Sequence, residues 1–235
     1  MKMTNALNLL TLIFLSTNAD ASYLRFWRGE KRVDLTAEQF QTGLNSGLLP
    51  ATGKLAETSA KLFSYYPALI KSDLVEKGLP SEVALVEYES EASYKSYRAT
   101  AEGQGYADLH WDFFNKAQSK SLVPEKYVGT IEIEKAYDIV GGEFNKADEA
   151  SSFRTYQRPV NLSNEEYISF VKSHIDQVSK SNPNAFVLLV AQNYIMEYVK
   201  WDNQGNKIPA GESVIVDNNL ELKSKLEFGE AIRFK

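Results

Sequence analysis

The amino-acid sequence predicts an α+β fold made of two halves, each a unit of strand, short loop, capped helix and returning strands. Three observations predict it. The stretch LRFWRGEKRVDLTAEQF, residues 24 to 40, and the stretch FRTYQRPVNLSNEEY, residues 153 to 167, share one local grammar: an aromatic-rich extended run with arginines, a few polar residues, then a helix start. After each helix a proline leads into a β-rich stretch, Pro80 into VALVEYE at 83 to 89 and Pro183 into AFVLLVAQNYIMEYVKW at 185 to 201. Cysteine is absent and 12% of the residues are aromatic, so stability must come from packing and not from disulfides.

In chain order, residues 1 to 21 read as a removed secretory signal. Lys2 supplies a positive start, residues 7 to 15 are mostly apolar, and Ala19-Asp20-Ala21 is a small-x-small cleavage site. The first half is expected over residues 22 to 142 and the second over 143 to 235, with the seam at Gly141-Gly142. Residues 24 to 28 and 153 to 158 are predicted strands. Thr36 with Gln39, and Ser163 with Glu166, have the spacing of capping boxes, and Leu35 with Phe40 and Leu162 with Tyr167 that of hydrophobic staples. Residues 47 to 79, with Pro50, Gly53, Pro67 and Gly78, read as a loop-like insertion. Residues 90 to 100 read as a short helix capped by Ser90 or as a return strand. Gly103 and Gly105 are expected to break the chain before a helix at 106 to 119, and 127 to 140 to form a strand. The run 185 to 201 is a predicted hairpin turning at Gln192-Asn193, and ESVIVD and LEFGEAIRF are predicted strands near the C-terminus. Internal duplication accounts for the paired grammar; so does the general tendency of β-to-α junctions to carry capping residues.

This order, β, α, β, β, α, β and then a second partial set, resembles the ferredoxin-like dimeric α+β barrel superfamily in tandem form. The resemblance implies two antiparallel sheets with helices on one face of each, packed as a barrel-like unit that encloses a cavity. The superfamily includes cofactor-free monooxygenases, haem enzymes such as the chlorite dismutases, and proteins with no known chemistry, so the fold does not select the function.

The net charge of -5 argues against a nucleic-acid partner, which needs an excess of Lys and Arg to neutralise phosphates. After the leader no segment approaches the roughly 20 apolar residues of a membrane-spanning helix, so no integral membrane insertion is expected. A periplasmic or secreted location follows from the leader, with a small molecule or an envelope protein as partner.

The chain has only two histidines, His110 and His174. His110 lies in YADLHWDFF, where helical spacing puts it on one face with Tyr106, Leu109 and Phe113. It is read as a packing residue, against the alternatives of a haem or metal ligand or a general base. His174 falls at the edge of the stripe Tyr167, Val171, Ile175 and Val178. No histidine pair has ligand spacing, so no metal site is expected. Glu87, Glu89 and Glu91 alternate along one predicted strand face, read as the wet face of a sheet or as an acid/base row. If 24 to 28 and 153 to 158 are facing strands, Arg25 and Trp27 join Arg154, Tyr156 and Arg158 in lining one shared cavity suited to a planar anion. The alternative is that these arginines cover aromatic surface with their stems. The reading that results is an exported, non-enzymatic binding or interaction protein with an aromatic and arginine-lined cavity for a small, anionic ligand, and with no cofactor. Its alternatives are an α+β barrel oxidoreductase, haem-dependent or cofactor-free, and an envelope-associated structural protein.

Overall fold

The first helix starts where the capping grammar puts it. The computed structural model describes residues 22–70, 78–142, 144, 150–201 and 232–233. Strand β1 (Tyr23–Gly29) leads to α1 (Ala37–Gly43), whose N-cap Thr36 accepts the Gln39 N–H at 3.1 Å while Gln39 Oε1 accepts the Thr36 N–H at 2.8 Å. The helix runs on through a π turn at Leu44–Leu48 into α2 (Leu49–Lys54) and a 3-10 turn at Leu55–Glu57. It is followed by β2 (Leu62–Leu69), β3 (Glu82–Tyr88), α3 (Glu91–Arg98), α4 (Ala101–Leu109), a 3-10 turn at His110–Asp112, and β4 (Lys120–Leu122).

Two expectations are corrected in this half, and one open alternative is decided. The described part of residues 47 to 79 is largely regular structure: Pro50 is the second residue of α2, directly after the π turn of a continuous helical run. Pro67 lies on an outer strand beyond its short pairing at Ser64 and Tyr65 with β10, a place that tolerates proline. Gly103 and Gly105 stand inside α4 and do not break it, since Thr100 caps the helix by accepting the Gly103 N–H at 3.0 Å. A Cβ at Gly103 would collide with the Tyr97 carbonyl, so glycine is what lets α3 and α4 turn tightly. Residues 90 to 100 are helical, with Ser90 as the cap.

Beyond β4 the chain forms β5 (Glu125–Lys126), β6 (Lys135–Val140), β7 (Ala150–Gln157), α5 (Asn164–Ser179), β8 (Ala185–Val190), β9 (Tyr194–Trp201) and β10 (Ile232–Arg233). Ser163 and Glu166 close the second capping box at 3.2 and 2.8 Å. The hairpin turns as expected, closed by Ala191 N–H to the Tyr194 carbonyl at 2.9 Å. The strand expected over 127 to 140 is confined to β6, because Gly129 and Glu134 take positive φ and turn the chain. The leader expected at 1 to 21 and most of the two strands expected near the C-terminus lie outside the described residues.

The first sheet has the order β10-β2-β3-β1-β4 and the second β5-β6-β8-β9-β7. Within the first, β4-β1-β3-β2 is the ferredoxin-like order, and the helices lie between its strands in sequence as the tandem α+β architecture requires. Outer strands are exchanged: β6 follows the first unit but pairs with β8 of the second sheet, and β10 follows the second unit but pairs with β2 of the first. The sheets face one another across a core that includes Phe26, Val83, Leu85, Val187, Leu189 and Met196, all 0% exposed. The outer face of the first sheet carries the helices from α1 to α4, and that of the second carries α5 on Tyr167, Val171, Ile175 and Val178.

With both faces of β3 covered, its glutamates have no wet face. Glu87 is 0% exposed and accepts from Ser22 and Ser64 hydroxyls at 2.7 Å each, while Glu89 lies beyond the strand and pairs with Lys61 at 2.9 Å. The expectation of a solvated row at 87, 89 and 91 is therefore corrected.

Candidate functional site

A cavity of about 360 Å³ lies between the helix-covered face of the first sheet and the helices above it. Period-2 alternation fixes its floor: on β3, Glu82, Val86 and Tyr88 point into it, and on β1, Arg25 and Trp27 do. Tyr65 of β2 completes the floor. Tyr94 of α3, Tyr106 of α4 and His110 with Trp111 of the 3-10 turn form the roof, and Ser119 and Ser121 close one side.

Two titratable groups in this cavity are displaced from their ordinary ranges. Glu82 is 0% exposed, and burial raises its pKa to about 7, opposed by hydrogen bonds from Tyr65 OH at 2.9 Å and Trp27 Nε1 at 3.0 Å. His110 is lowered to about 4, first by burial and also by Arg98, against the contrary effect of its bond to the Tyr106 carbonyl. That bond, Nδ1 to Tyr106 O at 3.0 Å, fixes the tautomer. A carbonyl only accepts, so Nδ1 carries the hydrogen and Nε2 is left as an acceptor with no partner among the described residues. The Trp27 indole joins the two groups, edge-on to the imidazole at 5.3 Å while donating to the carboxyl. Tyr106 OH shares a hydrogen bond with Thr52 at 2.8 Å, and burial raises its pKa. The site thus offers a neutral imidazole and a carboxyl poised near neutral pH inside aromatic walls, which is the equipment of proton transfer.

The residues expected to share one cavity are divided by the structure. Arg25 and Trp27 line the cavity just described, Arg25 donating to Ser121 at 3.0 Å and lying 4.5 Å over the Tyr94 ring. Tyr156 faces α5 on the outer side of the second sheet, and Arg154 shares its strand parity. Arg158 stacks 4.6 Å over Tyr167 and donates to the Leu162 carbonyl at 2.6 Å. The shared cavity is therefore corrected: Arg25 and Trp27 are separated from Arg154, Tyr156 and Arg158 by both sheets. The residues that do face the other sheet are one position out of phase, Leu24 and Phe26 on β1 and Phe153 on β7.

Other side chains were not singled out by their sequence context. Arg28 is buried between the sheets, ion-paired with Glu134 and donating to Tyr194 OH at 3.2 Å. Glu82 and Tyr65 sit in runs that read as ordinary strand; the only signal for Glu82 was an acid opening the alternation E-V-A-L-V-E-Y, on the phase that pairs with W-R-G of β1. His174 is buried, not at an edge, with Nε2 2.6 Å from Glu197 Oε2. Among the described residues no group of three or more His, Cys, Asp or Glu is placed to hold a metal ion, and no helix is long and apolar enough to cross a membrane.

No family model and no curated protein matches the chain. Solved structures share its arrangement. A provisional monooxygenase of Fusobacterium nucleatum subsp. nucleatum is similar over 79% of this chain and 78% of its own, at 10% identity and a TM-score of 0.41. A provisional antibiotic biosynthesis monooxygenase of Bacteroides thetaiotaomicron is similar over 48% of this chain and 96% of its own, at 17% identity and a TM-score of 0.32. An anthrone oxidase-like protein is similar over 80% of this chain and 76% of its own, at 9% identity and a TM-score of 0.40. Likeness at this level concerns the fold and assigns no residue a role. The names of these neighbours are nevertheless those of enzymes, which goes against the expectation of a non-enzymatic binding or interaction protein.

Proposed function

We propose that the chain is a cofactor-free oxidoreductase that ionises a planar aromatic substrate in the first-half cavity and lets the resulting anion react with dioxygen. The observation that carries this reading is the presence of Glu82 and the fixed Nε2 acceptor of His110 in one aromatic-walled cavity. For a ring system with a CH₂ made acidic by conjugation with a carbonyl across the ring, Glu82 takes the carbon-bound proton. A substrate hydroxyl donates to His110 Nε2, which orients the ring. Electrons pass from the anion to dioxygen, a carbon–oxygen bond forms, and loss of water turns the CH₂ into C=O, so that one O₂ is consumed and one H₂O released. A carboxyl near pH 7 suits this work, because it is ionised in a useful fraction and still basic.

Haem is the second reading, and the imidazole fits it. With Nδ1 bonded to a carbonyl, His110 Nε2 is the atom that would hold the iron, and haem would supply the means of activating oxygen. Oxygen uptake with anthrone as probe separates the readings. Metal-free parent protein is expected to accelerate uptake, and Glu82→Gln to reduce the acceleration by about 10²-fold or more. Equal rates for parent and variant overturn Glu82 as the base. Activity that appears only after haem is added, and is lost in His110→Gln, selects the second reading.

A further inference from the structure

Strand β1 reads W-R-G at its end, and the glycine is the cross-strand partner of Glu82. Trp27 and Gly29 are two apart, so they share the cavity face of β1. Trp27 lies opposite Ala84, a residue too small to fill the space beneath an indole. The ring leans along the strand over the gap at Gly29 and places Nε1 3.0 Å from Glu82 Oε2. A Cβ built at Gly29 would collide with the edge of the Phe114 ring and would come within 2.9 Å of Trp27 Nε1. Gly29 has no positive φ to explain its presence. Its absent side chain is therefore a matter of space, and the space is used by the Trp27 indole and the Phe114 ring.

We propose that Gly29 is a positioning residue for Glu82: the missing side chain lets the Trp27 indole N–H reach the carboxyl, orient it, and favour its ionised form. Tyr65 OH holds Oε1 at 2.9 Å and Trp27 Nε1 holds Oε2, so each oxygen is tied by one donor and the plane of the carboxyl is fixed against the cavity. Both donors favour the carboxylate over the acid. Without Trp27 the buried carboxyl keeps its proton to a higher pH, and fewer molecules hold a base ready. The inference rests on the reading of Glu82 as the base, but it makes a claim about the carboxyl that can be measured without turnover.

The experiment is an infrared pH titration of the protonated carboxyl band, assigned to Glu82 by its loss in Glu82→Gln, on parent, Trp27→Phe, Gly29→Ala and the double variant. A fifth protein, Gly29→Ala with Phe114→Leu, relieves the clash with phenylalanine and keeps the one with the indole, which guards against a single variant that fails to fold. The midpoint is expected to rise by about one pH unit in Trp27→Phe and in Gly29→Ala, a tenfold change in proton affinity. The double variant should rise no further than either single one, since both act through one hydrogen bond. The alkaline shift should reappear in the pH profile of oxygen uptake. Unmoved midpoints in folded variants, or shifts that add in the double variant, overturn the inference. If the midpoints move as stated while Glu82→Gln keeps full oxygen uptake, the positioning claim stands and the reading of Glu82 as catalytic base falls.

Discussion

His174 Nε2 lies 2.6 Å from Glu197 Oε2 with both side chains buried, and Tyr156 OH donates to the other carboxylate oxygen at 3.0 Å. This cluster ties α5 to β7 and β9 beneath the outer face of the second sheet. Removing one partner of such a pair leaves the other buried with too few bonds. His174→Leu is expected to cost about 1 to 3 kcal/mol, measured as a lower midpoint in urea unfolding. A midpoint within error of the parent would mean that the imidazole does not hold the helix.

The pH dependence of stability is expected to expose the two cavity groups by subtraction. Glu82, raised to about 7, stabilises most below its unfolded value and loses that contribution as pH rises through 7. His110, lowered to about 4, contributes fully above its unfolded value and loses that as pH falls toward 4. Between these limits the slopes oppose each other and largely cancel in the parent. Relative to the parent, Glu82→Gln should therefore lose stability as pH falls from about 7 to 4.5, and His110→Gln should lose it as pH rises from about 4 to 6.5. Each difference amounts to about 3 kcal/mol across its window, and parallel profiles for all three proteins would refute both assignments.

Each capping box is open to a simple test. Thr36→Ala and Ser163→Ala each remove a side-chain acceptor from a helix N–H and should each cost about 1 kcal/mol. The caps lie on different helices without shared partners, so the double variant should show the sum within a few tenths of a kcal/mol. Thermal unfolding followed by circular dichroism reads this directly.

Arg28 joins the two sheets through Glu134 and Tyr194, with Lys120 also reaching Glu134 at 3.2 Å. Arg28→Met should destabilise by about 1 to 3 kcal/mol, chiefly by leaving the buried Tyr194 hydroxyl without its donor, with little dependence on salt because the guanidinium is buried. A loss that vanishes at high salt would place the effect on the exposed Lys120 instead.

The helix starts were legible because they are local. A Thr or Ser followed three residues later by Gln or Glu satisfies its own N–H groups wherever the rest of the chain goes, and the hairpin at 185 to 201 is fixed by a turn and a run of β-branched and aromatic residues. The cavity was legible only in part. Arg25 and Trp27 were visible as polar and aromatic residues on one strand face, but which face meets the helices depends on strand pairing.

The sequence by itself determined the α+β order of elements, the two capped helices and the supply of aromatic residues, since these follow from spacing and chain-local hydrogen bonding. Tertiary structure alone decided the phase of the strands. In a sheet covered on both faces, alternation no longer separates inside from outside, so Glu82 and Glu87, five apart on β3, go to opposite faces and are both buried. It likewise put Trp27 beside a carboxyl 55 positions away and left His110 over the same cavity, because contacts of that range are made by packing and have no local pattern to announce them.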